Sequence, residues 1–230
     1  MSTAARTTDL DAIRALLKKK APFVGERGGR PTGVPELDRL LGGGFVKGGI
    51  TVLTGLPGSG RMSIAARLLA EETHRRPVAW IDAKGTLYPP ALANLGVRLN
   101  RMLIVRGAKD RSVYAAEQII ASRAFGVVIA IGLDGQLDDA RARRLQTVTE
   151  GTDTTTVLIL EPRAAERFGN AVMKLSMTRR ATSMIVQVDK DRTGAAGRRA
   201  TISNAVTGFS PSRDVLDEVE TPAVPMAFAG

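Results

Sequence analysis

With 230 residues, 43% hydrophobic and 24% charged, the chain has an ordinary soluble globular composition and enough length for one good-sized core plus short appendages. The absence of cysteine excludes disulfides, thiolate catalysis and cysteine-based metal sites, and a single histidine, His74, excludes a multi-histidine metal cluster. A net charge of +10, from 33 Lys and Arg against 23 Asp and Glu, points to acidic partners, nucleic acid first, or else to an arginine-rich solvated surface.

No apolar run approaches membrane-spanning length and Met1 to Leu10 lacks a hydrophobic signal region, so a cytoplasmic protein with no membrane partner is expected. Leu10, Ile13, Leu16 and Leu17 form an apolar stripe, with Asp9 and Asp11 at its start and Lys18 to Lys20 at its end. This predicts a short amphipathic helix. Such a helix packs on its own domain or docks on a neighbouring subunit, and the stripe is the candidate partner-binding surface. Residues 1–30 read as this helix and a linker, 31–209 as the core and 210–230 as an acidic mobile tail. The tail carries Asp214, Asp217, Glu218 and Glu220 against Arg213, with three prolines discouraging regular structure.

Val34, Leu37, Leu40 and Leu41 recur at helical spacing and stop at Gly42-Gly43-Gly44. Then comes the stretch around which the chain is organised. Ile50 to Thr54 is a β-branched and apolar run, Gly55 to Gly60 a glycine-rich turn, and Ile64, Ala65, Leu68 and Leu69 a helical pattern. Strand, loop and helix in this order make a phosphate-binding loop, in which backbone N–H groups and the helix N-terminus face phosphate. Gly55, Gly58 and Gly60 keep the glycine framework. The motif next requires Lys for the outer phosphates and Ser or Thr for Mg²⁺, and here stand Arg61 and Met62. A guanidinium can still pair with phosphate, but a thioether is a poor ligand for a hard cation. Ser63 lies one residue on, about 100° around the helix. The loop is therefore expected to be a relic with no cofactor and no metal.

Beyond it, strands are predicted at Val78 to Asp82, Met102 to Val105, Val127 to Ile131 and Thr156 to Leu160, and helices at Pro89 to Leu95, Tyr114 to Ala124 and Asp138 to Thr149. This alternation implies an α/β fold with a mostly parallel sheet and helices on both faces. Met184 to Val188 and Ala200 to Ser203 predict a C-terminal β-hairpin. Tyr88 and Phe168 are the aromatics in loop-like segments available for base stacking. Arg141, Arg143, Arg144, Arg179, Arg180, Arg198 and Arg199 are the candidate DNA contacts.

From Pro31 to about Ser203 the order of signals resembles the RecA recombinase core. The matching pieces are Thr32-Gly33-Val34-Pro35-Glu36-Leu37-Asp38-Arg39-Leu40-Leu41-Gly42-Gly43-Gly44, the loop at Gly55, Trp80-Ile81-Asp82-Ala83-Lys84-Gly85-Thr86-Leu87-Tyr88-Pro89, and Leu95-Gly96-Val97. The resemblance implies where function should lie, and the departures fall there. Lys84 stands where the family has the glutamate that activates water, and an ammonium is a donor, not a base. Ile131 stands where a strand-terminal aspartate helps to hold Mg²⁺. The nucleotide-sensing glutamine would fall beside Glu161 and Pro162. Both family DNA-gripping loops look shortened, the second to about Arg163 to Asn170, with Gly169-Asn170-Ala171 resembling its end.

Alternatives at these positions stay open. Asp134 supplies a carboxylate if the register shifts, Asp82 is a further candidate metal ligand, and Glu161 is either a base or a partner for an arginine such as Arg163. His74, on the polar helix face, reads as a surface residue. A chain of this size with these departures, a basic charge and an acidic tail is similar to the ImuA family, RecA-like proteins of bacterial damage-induced mutagenesis. That resemblance implies a catalytically inactive protein acting by binding RecA and an ImuB-like translesion polymerase subunit, with DNA as a further candidate partner. A weak ATPase using Arg61, and a division inhibitor resembling SulA, are the rival readings.

Overall fold

The computed structural model describes residues 28–107, 111–192 and 194–204. The expected N-terminal helix with Leu10, Ile13, Leu16 and Leu17, residues 205–209 and the acidic tail lie outside the described residues. The elements run α1 (Pro35–Leu41), β1 (Gly49–Gly55), α2 (Arg61–Thr73), β2 (Val78–Asp82), α3 (Pro89–Asn94), β3 (Met102–Arg106), α4 (Ser112–Ala121), β4 (Val127–Ile131), α5 (Asp139–Thr149), β5 (Thr155–Leu160), α6 (Pro162–Arg167), β6 (Met173–Arg179), β7 (Ser183–Asp191) and β8 (Arg199–Ser203).

These strands make one eight-stranded sheet in the order β3-β2-β4-β5-β1-β6-β7-β8. Pairing is parallel from β3 to β6, and β7 and β8 add antiparallel as the expected C-terminal hairpin. The sheet separates two cores. Leu53, Trp80, Ile129 and Leu175 pack with α1 and α2 on one side; Val52, Ile81, Ala130 and Leu158 pack with α4, α5 and α6 on the other. Strands β2 and β5 are buried at every position. Burial on both faces makes such strands continuous rather than alternating apolar runs.

Sequence signals place most ends closely. Gly42 closes α1 in the left-handed conformation at φ 69°, a geometry that glycine adopts without strain. The Asp138 side chain accepts from the Arg141 N–H at 2.8 Å as the N-cap of α5. Helix α2 continues to Thr73, past the apolar pattern that ends near Ala70, because Glu72 is buried against Arg30 at 2.6 Å. Arg30, in the expected linker, also donates to Thr155 Oγ1 and the Asp153 carbonyl and bridges to Phe45. Strand β6 is absent from the expected elements although Met173, Leu175 and Met177 alternate with Lys174, Ser176 and Thr178, the pattern of a half-buried strand. Among the described residues no helix is long and apolar enough to cross a membrane.

Candidate functional site

The C-terminal ends of β1, β2, β4 and β5 and the start of α2 meet where a phosphate-binding loop would work. Gly55, Gly58 and Gly60 all have positive φ, at 147°, 78° and 97°. Gly60 is the left-handed residue before α2, and Met184 Cε would lie 2.7 Å from any Cβ there. The strand, loop and helix therefore stand as the glycine spacing predicts.

Inside this frame the side chains turn towards one another. Arg61 is 8% exposed. Its guanidinium donates to the Leu160 carbonyl at 2.9 Å and lies 3.4 Å from Glu161 Oε1. The side chain in the phosphate-reaching place thus ties the loop to the end of β5. Met62 is 38% exposed on the first turn, whereas Ser63 is buried. Glu161 pairs with Arg61 and not with Arg163, which corrects the expected partner; α2 brings Arg61 across to the end of β5.

Lys84 and Asp134 form a second pair, with Nζ 3.9 Å from Oδ2. Asp134 also accepts from the Glu161 N–H through Oδ1 at 2.7 Å. The two ion pairs are joined through Glu161 into one belt across the strand ends. Asp82 is fully buried, and its carboxylate accepts from the N–H groups of Gly85 at 2.9 Å and Leu87 at 2.6 Å. Those bonds fold the chain after β2 and give the carboxylate a structural duty. Ile131 closes β4, opposite Asp82 in β2 and Ile159 in β5.

The expected loop from Arg163 to Asn170 is in part a helix, α6. Pro162 is at its first turn, where its fixed φ suits a helix, and Ala164 and Ala165 favour one. Phe168 is 4% exposed and packs in the second core, which removes it as a base-stacking residue; Tyr88 is 68% exposed. The seven candidate arginines do not form one patch. Arg141, Arg143 and Arg144 lie on α5, where Arg144 pairs with Glu117 at 2.8 Å and Arg143 donates to the Asp139 carbonyl. Arg179 closes β6, Arg180 follows it, and Arg199 opens β8 opposite Gln187. His74 is exposed at the C-cap of α2.

A cavity of about 630 Å³ adjoins the loop, lined by Thr54, Leu56, Pro162, Met177, Lys174 and Lys190 among others. Lys174 and Lys190 are cross-strand partners. Their ammonium groups reach the carbonyls of Ala165 at 2.6 Å and Gly169 at 2.7 Å. Burial pushes both below the ordinary lysine value. For Lys190 the positive charges of Arg192 and Lys174 act in the same direction. The sequence carries no sign of this pair, because the two lysines meet only through the antiparallel pairing of β6 with β7.

No protein-family model matches the chain. It is 28% identical to the DNA repair protein RadA of Mycobacterium tuberculosis (strain ATCC 25618 / H37Rv), over 86% of this chain and 47% of RadA. It is 32% identical to Protein RecA of Prochlorococcus marinus (strain MIT 9303), over 43% of this chain and 27% of RecA. The chain spans about half the length of the curated RadA it matches, and less of that RecA. The crystal structure of the RadB recombinase superposes with a TM-score of 0.66 and 20% identity, covering 78% of this chain and 97% of RadB. The chain is thus a homologue, at modest identity, of the RecA and RadA proteins, and its fold is RecA-like.

Proposed function

We propose that this chain is a RecA-like protein of the ImuA type that does not hydrolyse ATP and acts by binding RecA and a translesion polymerase subunit in damage-induced mutagenesis, with DNA as a further partner. The observation that carries this reading is the commitment of Arg61 to Leu160 and Glu161, which leaves the loop without the free cation that a nucleotide's outer phosphates require. The pairing of Lys84 with Asp134 supports it, because that carboxylate already holds an ammonium and the Glu161 N–H.

In this reading the N-terminal stripe docks on RecA, so that the subunit joins a filament it cannot extend. The test is RecA-filament binding by the wild-type chain and by Leu10→Ala with Leu17→Ala, alongside melting curves. Truncating one stripe residue at an interface costs about 1–3 kcal/mol. Weakened binding with an unchanged melt supports docking, whereas unchanged binding or a collapsed melt assigns the helix to its own core. Mg²⁺-dependent turnover that vanishes in Arg61→Ala would support the weak-ATPase reading, and capture of a division protein in place of RecA the SulA-like one.

A further inference from the structure

The opposite edge of the sheet, where the parallel strands begin, carries a charge arrangement that the loop chemistry does not use. Arg98 and Arg101 lead into β3, Arg75 and Arg76 into β2, Arg123 into β4, Asp153 into β5 and Lys47 into β1. These strands are consecutive in the sheet. At about 4.8 Å between neighbours, the row is about 19 Å long. Arg75, Arg98, Arg101 and Arg123 are exposed, and Lys47 and Arg76 half-buried.

Local bonds fix this edge. Arg76 pairs with Asp153 at 2.9 Å and donates to the Arg123 carbonyl at 3.0 Å. Arg101 donates to the Thr73 carbonyl at 3.2 Å, and the Arg98 N–H to Thr73 Oγ1 at 3.3 Å. Asp153 is shared by Arg76, Lys47 at 3.9 Å and Arg30 at 3.5 Å. The other carboxylate of these strand-entry loops, Glu150, accepts from Gln146. Positive charge is therefore in excess at the starts of β3, β2 and β4, while the start of β5 carries Asp153, held by its three cations.

We infer that this row is a binding surface for the phosphate backbone of duplex DNA. The cations at three neighbouring strand starts, β3, β2 and β4, suit a row of phosphates. Single-stranded nucleic acid is held by aromatic stacking as well as charge. The exposed tyrosines, Tyr88 and Tyr114, instead follow the other ends of β2 and β3. An acidic protein is less suited, because protein interfaces are anchored by apolar and aromatic side chains and Leu99, 38% exposed, is the large apolar residue exposed in these strand-entry loops. The inference rests on the DNA-partner part of the proposed function and not on its RecA part.

The test uses the full chain, a fluorescent mixed-sequence duplex and the matching single strand, across a salt series. The edge variant is Arg75→Glu with Arg98→Glu and Arg123→Glu. The control, Arg106→Glu with Arg111→Glu and Arg163→Glu, changes net charge equally on exposed arginines at or beyond the other ends of β3 and β5. We expect the edge variant to weaken duplex binding about tenfold or more and to flatten the log–log salt slope by about 2–3, the loss of three phosphate contacts. The control should stay within about threefold of wild type. If the charge reversals prevent folding, the matching Gln variants are read in the same way. An equal or larger loss in the control, stronger binding of the single strand, or equal displacement of duplex by polyglutamate overturns the inference. Failure of the wild type to bind any DNA removes the DNA partner altogether and leaves RecA binding to its own test.

Discussion

Arg61 and Glu161 are held 3.4 Å apart across the mouth of the glycine-rich loop, with the same guanidinium donating to the Leu160 carbonyl at 2.9 Å. A nucleotide phosphate would have to compete with both. The expected outcome is no Mg²⁺-dependent ATP turnover above background in a phosphate-release assay. Arg61→Lys with Met62→Thr should not restore it, since on the resemblance to RecA Lys84 and Ile131 would still stand in the places of base and metal ligand. Turnover in that double variant would show that the loop alone was limiting.

The same contacts predict an asymmetric stability response. Arg61→Ala leaves the buried Leu160 carbonyl without its donor, which should cost about 1–3 kcal/mol. Glu161→Gln removes a charge whose side chain is 43% exposed, and such pairs contribute about 0–1 kcal/mol. Urea unfolding of the two variants checks the order. A larger loss for Glu161→Gln would mean that the carboxylate, not the carbonyl, fixes Arg61.

For Lys84 and Asp134 the order reverses, with the carboxylate mattering more. Lys84 is half exposed and its pair is long, so Lys84→Ala should change stability by less than about 1 kcal/mol. Asp134→Ala also removes the acceptor of the Glu161 N–H and should cost about 1–2 kcal/mol. Asp134→Asn keeps an acceptor and should recover most of that loss in a urea titration.

How far these relationships could be read in the sequence depends on which physical signal carried them. Runs such as Val127 to Ile131, apolar on both faces, are legible because burial on both sides leaves no other composition. The loop was legible through Gly55, Gly58 and Gly60, whose backbone geometry is local. Its internal pairing was not, because Arg61 and Glu161 are 100 residues apart, and periodicity says nothing about which distant carboxylate faces a given arginine. Phe168 and the short α6 were misplaced for a related reason. A six-residue helix gives too little periodicity, and an aromatic between glycine and polar neighbours reads as loop until the second core encloses it. Strand β6 was legible in principle, since Met173, Leu175 and Met177 alternate with Lys174, Ser176 and Thr178 as on a half-buried strand.

Arg30 and Glu72 form a buried ion pair, with side chains 7% and 2% exposed. Breaking such a pair from one side leaves an uncompensated buried charge and costs about 3–5 kcal/mol. Arg30→Met should therefore lower stability by that amount, whereas Arg30→Met with Glu72→Met should recover most of it by apolar packing. Gly126 backs directly onto the Glu72 carboxylate, so Gly126→Ala should also destabilise, by about 1–3 kcal/mol through overpacking. Thermal melts of the four proteins test the set. A double variant no better than Arg30→Met alone would show that the bonds from Arg30 to Thr155 and Asp153 matter more than the charge pairing.

The Lys174 and Lys190 pair gives a pH dependence whose sign follows from burial. For Lys174, burial outweighs the attraction of Asp189 and Glu166; for Lys190, burial is joined by repulsion from Arg192 and Lys174. Both folded-state values lie below the unfolded value of 10.5. Between the lowered values and 10.5 the unfolded chain binds more protons than the folded one, so this pair's contribution makes stability rise with pH through that window. Below the window the folded state bears the full penalty of holding two neighbouring ammonium groups. Lys174→Met with Lys190→Met removes that penalty together with the bonds to the Ala165 and Gly169 carbonyls. The difference in urea midpoint, wild type minus variant, should therefore shift in favour of the wild type as pH is raised towards 10.5. Taking the difference cancels the tyrosines and the other lysines common to both proteins. A difference that stays constant, or moves in favour of the variant, would mean that the carbonyl bonds hold both ammonium groups charged in the folded state at no electrostatic cost.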